Sequence, residues 1–133
     1  MRIGLGMVLA MMASPAMAAD QFDLVCKTVS SSGYDKSPPR SEVQLTIDLS
    51  RMEYCENGCS NILKIKSVMT DKIILRSYRD SGQGIIVDIS AVVDRVLGVY
   101  QYEFSQIYPY PSTKAYTADC ELKPFSGFPG AKF

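Results

Sequence analysis

Chemistry in this chain would have to proceed without histidine. The 133-residue sequence has no His and no Trp, four Cys, 14 Lys+Arg and 14 Asp+Glu. A serine nucleophile needs a base to take its proton, usually His. Ser-Lys pairing would need a Ser-x-x-Lys element opening a helix, and none stands in that context. A thiol nucleophile needs a free Cys, and four Cys pair completely in an exported chain. Carboxylates are the remaining acid–base option. Asp88, Asp94 and Glu103 lie on or beside neighbouring predicted strands and could approach one another. Alternation explains the acids without catalysis, placing Asp48, Asp88 and Glu103 on the wet faces of half-buried strands.

Binding chemistry has more candidates. Arg79-Asp80-Ser81-Gly82-Gln83-Gly84 offers Gly-x-Gly beside charge, but a phosphate cradle feeds a helix N-terminus and here a β run follows. An ordinary hairpin loop explains it better. Arg95 beside Asp94 could hold an anion, or fix the turn before Gly98 as an ion pair or cap. Tyr108 and Tyr110 stand on a Pro-stiffened loop, Tyr108-Pro109-Tyr110-Pro111. Rigid tyrosines give large contact area at low entropy cost, and Tyr-Pro bonds favour a cis peptide more than other bonds do. Tyr108, Tyr110, Arg79 and Arg95 are therefore the candidate binding surface. Tyr100, Tyr102 and Phe104 share one strand face, and period two directs them to the core.

The elements that must hold these residues are strands. From Ala19 onward there are 9 Val and 9 Ile against 5 Ala, a composition that suits a pleated surface rather than a helix. Val43, Leu45, Ile47 and Leu49 alternate strictly with polar residues and mark a core face. Further strands are predicted at Phe22 to Val29, Met52 to Cys55, Ile62 to Val68, Ile73 to Tyr78, Ile85 to Val93, Val99 to Ser105 and Ala115 to Leu122. Loops are expected at Ser30 to Pro39 and Arg79 to Gly84. The fold class is all-β: a single antiparallel meander of seven or eight short strands, closing into a small barrel that removes its edges. A two-sheet β-sandwich is the alternative.

Met1-Arg2, the apolar run Ile3 to Met12 and Ala16-Met17-Ala18 have the layout of a secretory signal peptide, residues 1–18. The run is too short to span a bilayer. The expected mature chain, residues 19–133, is one domain with an irregular tail from about residue 123. It carries 13 Lys+Arg, the total less Arg2, against 14 Asp+Glu. Such a balance excludes a basic nucleic-acid binder. Four Cys allow three disulfide connectivities. Cys55-Glu56-Asn57-Gly58-Cys59 puts a turn-forming Asn-Gly between two half-cystines, which favours Cys55–Cys59 and leaves Cys26–Cys120 to tie the first strand to the last. A zinc site is disfavoured by the absence of His and by a single local Cys pair with x3 spacing. No metal or cofactor is expected.

Several phrases resemble a family of small exported bacterial proteins of unassigned function. They are Phe22-Asp23-Leu24-Val25-Cys26, Ile47-Asp48-Leu49, Tyr54-Cys55 with Cys59, Val93-Asp94-Arg95 with Gly98 and Tyr100, Cys120-Glu121, and Pro124-Phe125-Ser126-Gly127-Phe128-Pro129. They spread over nearly the whole mature chain. Where the family has Trp this chain has Tyr54, and where it has Thr this chain has Leu97. The resemblance implies export and a shared β fold, and it supplies no reaction, ligand or catalytic residue. The expectation is a monomeric, non-catalytic protein of the periplasm or extracellular space. It would act by binding an envelope or extracellular protein, as an inhibitor or adaptor. A barrel carrying a small apolar ligand is the alternative, and a carboxylate hydrolase ranks below both.

Overall fold

The computed structural model describes residues 20–35 and 38–128. The expected leader, residues 1–18, and the end of the tail, 129–133, lie outside the described residues. Nine strands follow one another: β1 (Gln21–Ser32), β2 (Glu42–Asp48), β3 (Glu53–Glu56), β4 (Leu63–Lys64), β5 (Ser67–Val68), β6 (Lys72–Gly82), β7 (Ile85–Asp94), β8 (Val99–Tyr108) and β9 (Ser112–Lys123). All pairings are antiparallel, and the sheet order is β4-β3-β2-β1-β9-β8-β7-β6-β5. Consecutive strands are therefore paired except β4 and β5, which stand at opposite ends, and the first long strand pairs with the last. This is an up-and-down meander curled into a half-barrel. No helix forms among the described residues.

The two ends of the sheet are successive pieces of one segment. Leu63–Lys64 pairs with Glu53 and Tyr54 of β3, and Ser67–Val68 pairs with Ile73 and Ile74 of β6. Only Ile65 and Lys66 separate them, and their amides donate to Met52 (2.9 Å) and Ile74 (3.0 Å). The predicted single strand Ile62 to Val68 is thus divided between two partners, which raises the strand count from eight to nine. The segment leaves a wedge between β4 and the upper part of β6, where no ladder joins the two.

Ladder partners share a face, so the register maps the concave side. Val43, Leu45 and Ile47 point inward and are buried, as their alternation requires, and Leu49 packs against the same core. Leu24, Ile65, Ile73, Leu75 and Val93 complete an aliphatic floor. Cys26 and Cys120 are opposed in the β1–β9 ladder and bonded, and Cys55–Cys59 closes the turn after β3. That turn takes positive φ at Asn57, Gly58 and Cys59, as its Asn-Gly core allows.

Three sequence expectations change. The loop predicted from Ser30 begins later, because β1 continues to Ser32 in register with β9 after a shift at Thr28/Ser30. The loop Arg79 to Gly84 contracts to Gln83-Gly84, since β6 and β7 stay paired to Gly82 and Ile85. Asp48 is not solvated: it is 1% exposed. Its carboxylate accepts from Gln21 Nε2 (2.9 Å), Ser50 Oγ (2.6 Å) and the Arg51 amide (3.1 Å). Burial alone would raise its pKa, but these donors outweigh it and hold the group below the usual carboxylate value. Nearby, the Ser126 amide donates to Asp23 (3.2 Å) and fixes the tail against the outer face of β1.

Candidate functional site

One end of the concave face is aromatic and polar instead of aliphatic. Inward register pairs run Arg76–Ala91–Tyr102–Tyr116 across β6 to β9, and Tyr78–Ile89–Phe104 one step above. On the other flank Ile47 pairs with Tyr54, and Leu45 with Glu56. Six of the eight tyrosines, residues 34, 54, 78, 100, 102 and 116, gather around this mouth. A register shift between Ile74 and Arg76 turns Arg76 inward beside buried Leu75, the re-aiming that a β-bulge produces.

Arg76 is the centre of the mouth. Its Nη2 reaches Glu56 Oε1 at 2.7 Å, joining β6 to β3 across the wedge. Its guanidinium lies 5.8 Å from the Tyr102 ring centroid, within cation–π range. Tyr102 stacks on Tyr116 at 5.2 Å, and Tyr116 meets Tyr100 at 5.9 Å and Tyr34 at 6.3 Å. Lys114 Nζ stands 5.9 Å over the Tyr34 ring. Gly33 makes that placement possible: it has φ +79°, and any side chain there would run into the Thr113 carbonyl.

Burial sets the electrostatics. Tyr54 is fully buried and its phenol is pushed up to about 12, mainly by desolvation, with Arg76 pulling the other way. Tyr100, 1% exposed, is raised further for the same leading reason. Tyr102, Tyr116 and Tyr34 are also raised, with desolvation the first cause in each. Burial would favour a neutral Arg76, but the Glu56 carboxylate and the neighbouring phenols keep it firmly charged. Among the described residues, the Tyr54 hydroxyl and Arg76 Nε are buried with no hydrogen-bond partner. Arg76 Nε can only donate and the Tyr54 hydroxyl can donate or accept, so an incoming acceptor would satisfy either. They line a cleft of about 360 Å³ in the wedge, with Leu63, Lys66, Leu75 and Tyr78.

The sequence-predicted residues do not converge. Tyr108 and Tyr110 sit at the β8–β9 hairpin, 57% and 77% exposed, with a cis Tyr108-Pro109 bond. Arg79 lies on the outer face in a two-point pair with Asp88 (2.8 and 3.0 Å). The hydrogen bond from Arg79 holds the Asp88 carboxyl below its usual range and raises Arg79 in turn. Arg95 is at the opposite end, where its Nη1 donates to the Met69 carbonyl (3.0 Å). Asp94, not Arg95, caps the following turn by accepting from the Val96 and Leu97 amides, both at 2.9 Å. Asp88 and Asp94 are thus committed to separate structural tasks. Glu103 accepts from Ser105 Oγ (3.3 Å) on the outer face.

The residues missed were Tyr54, Glu56, Arg76, Tyr78 and Tyr116. The one legible signal was the arginine closing the apolar run Ile73-Ile74-Leu75, which breaks the alternation. At the far end, Phe22, Leu24, Ile73, Val93 and Leu122 line an apolar cavity of about 240 Å³. It is smaller than pockets for drug-sized ligands. Comparison with known proteins finds no match to the chain among family models, curated proteins or solved structures.

Proposed function

We propose that this chain is an exported, non-catalytic binding protein that recognises a protein partner through its tyrosine-lined mouth. The observation that carries the reading is the convergence of six tyrosines with the Arg76–Glu56 pair at the open end of the half-barrel. Tyrosine and arginine are the residues most enriched where interfaces carry their binding energy. Tyr78 remains 48% exposed at this mouth, and Tyr110 stands out from the hairpin at the same end. The filled aliphatic floor and the small distal cavity favour this reading over an apolar-ligand carrier. Two disulfides and the leader-like start support export to the periplasm or beyond.

The test uses mature protein isolated gently from the envelope fraction, with native mass spectrometry and titration of any stoichiometric partner. A protein partner bound at 1:1 and weakened at least tenfold by Tyr78→Ala, but not by Arg95→Ala, is the expected result. A retained small molecule, or equal loss in both variants, overturns it.

A further inference from the structure

We infer that the upper edge of β6 accepts an extended peptide segment of the partner as an added strand, seated in the wedge between β4 and β6. This rests on the binding reading above and specifies its mode.

β6 spans Lys72–Gly82, yet β5 covers only its first part, through Ile73 and Ile74. From Arg76 to Gly82 the strand has a ladder on the β7 side alone among the described residues. The orientation of its backbone follows from two independent facts. Gln83-Gly84 is a two-residue turn with φ of 52° and 76°, so Gly82 and Ile85 form the closing hydrogen-bonded pair. Alternation then bonds Gly82, Asp80 and Tyr78 to β7 and turns Ser81, Arg79 and Ser77 towards the wedge. Lys66 Nζ donates to the Ser77 carbonyl, which places that carbonyl on the wedge side as the alternation requires. The edge thus offers the amides of Ser77, Arg79 and Ser81 and the carbonyls of Arg79 and Ser81.

A row of alternating donors and acceptors at strand spacing is matched by another extended backbone. The wedge holds a cleft of about 360 Å³ bounded on both sides by this chain. On its far side stand Leu63 and Lys64 of β4, and Glu56 of β3 reaches across to Arg76 at 2.7 Å. The guest's inward side chains would meet Tyr54, Tyr78 and Arg76. Two polar atoms without partners stand there, the Tyr54 hydroxyl and Arg76 Nε, and an acceptor-bearing side chain, such as Asn, Gln, Asp or Glu, at one inward position of the guest can satisfy them.

The experiment combines selection with residue-resolved amide exchange. A displayed library of random ten-residue peptides is selected against the mature protein, and the exchange of β6 amides is measured by NMR with and without the best synthetic peptide. In the free protein the Ser77, Arg79 and Ser81 amides should exchange at least tenfold faster than those of Tyr78 and Asp80. Bound peptide should slow those three amides at least tenfold, and Ser81→Pro, which removes one wedge-facing donor, should weaken the peptide at least tenfold. Peptides that shift the mouth tyrosines without protecting the three amides overturn the edge mode and leave the binding reading standing. Failure to select any peptide overturns it as well. Protection of the same amides that rises with protein concentration, with doubling of the mass and no peptide, overturns it in favour of self-pairing.

Discussion

Removing the Cys26–Cys120 bond should cost far more stability than removing Cys55–Cys59. The first closes a separation of 94 residues and the second a separation of 4. In the chain-entropy model the two loops are worth about 4.7 and about 2 kcal/mol at 25 °C. Packing acts in the same direction, since Cys26 belongs to the hydrophobic core and Cys120 packs against it, whereas Cys55 and Cys59 stand outside that cluster. Each bond has one fully buried sulfur residue, Cys26 or Cys55, and one partly exposed partner. The loop contribution alone sets the two double Cys→Ala variants about 2–3 kcal/mol apart, and the core position of Cys26–Cys120 widens the gap. A domain of this size holds about 5–15 kcal/mol in all, so Cys26→Ala/Cys120→Ala should lie close to the folding limit. Equilibrium urea unfolding of the oxidised wild type and both variants measures the difference. If the long-loop variant is unfolded in buffer, titration with a stabilising osmolyte recovers its value. Equal midpoints and slopes for the two variants would refute the idea that this bond stabilises by fastening the first strand to the last.

Two pH-dependent outcomes follow from the buried groups. Asp48 has a lowered folded pKa, so its contribution is present above the ordinary carboxylate value and lost as pH falls through the folded one. Asp48→Asn should cost about 1–3 kcal/mol at neutral pH, and the gap to wild type should close below about pH 4. Urea unfolding at several pH values that shows a constant gap down to pH 2 would refute this. The tyrosines give the alkaline counterpart. Tyr54 and Tyr100 have raised folded pKa values against an ordinary 10.0. Stability is therefore full below about pH 10 and falls as pH rises towards the folded values. Tyrosinate absorbance should show part of the tyrosines ionising only together with the loss of near-ultraviolet circular dichroism. Complete ionisation with the fold intact would contradict their burial.

The fold was legible where one residue type decides one local geometry. The alternation of β2 marked its inner face, and Asn-Gly between Cys55 and Cys59 marked a tight disulfide-closed turn. The elements that escaped were polar continuations of strands. Ser30 to Ser32 and Arg79 to Gly82 have loop composition, but each has a ladder partner ready in β9 or β7. Backbone pairing in an already curled sheet outweighs weak strand propensity. Asp48 escaped for a different reason. Its position on the polar side of β2 was correct, but solvation did not follow, because the turn after β2 and Gln21 bring three donors over it.

The site was less legible, because period two assigns a face but not a depth along it. Tyr100, Tyr102 and Phe104 do point inward, as predicted, yet inward means core only at the aliphatic end. Near the open end the same face becomes a mouth, and a tyrosine there can keep its ring buried and its hydroxyl near water. Which end is open depends on where β4 leaves β3 and where β5 ceases to cover β6, a long-range fact carried by the two residues Ile65 and Lys66. Arg76 depends on a bulge whose residue types look ordinary in sequence. The bulge puts Leu75 and Arg76 on one inner face, while the Gln83-Gly84 turn sets which β6 amides face the wedge. Deleting Leu75 would leave Ile74 and Arg76 opposite Val92 and Ala91 in regular register, so Arg76 and the edge amides should keep their places while the buried Leu75 side chain, and the stability it contributes, is lost.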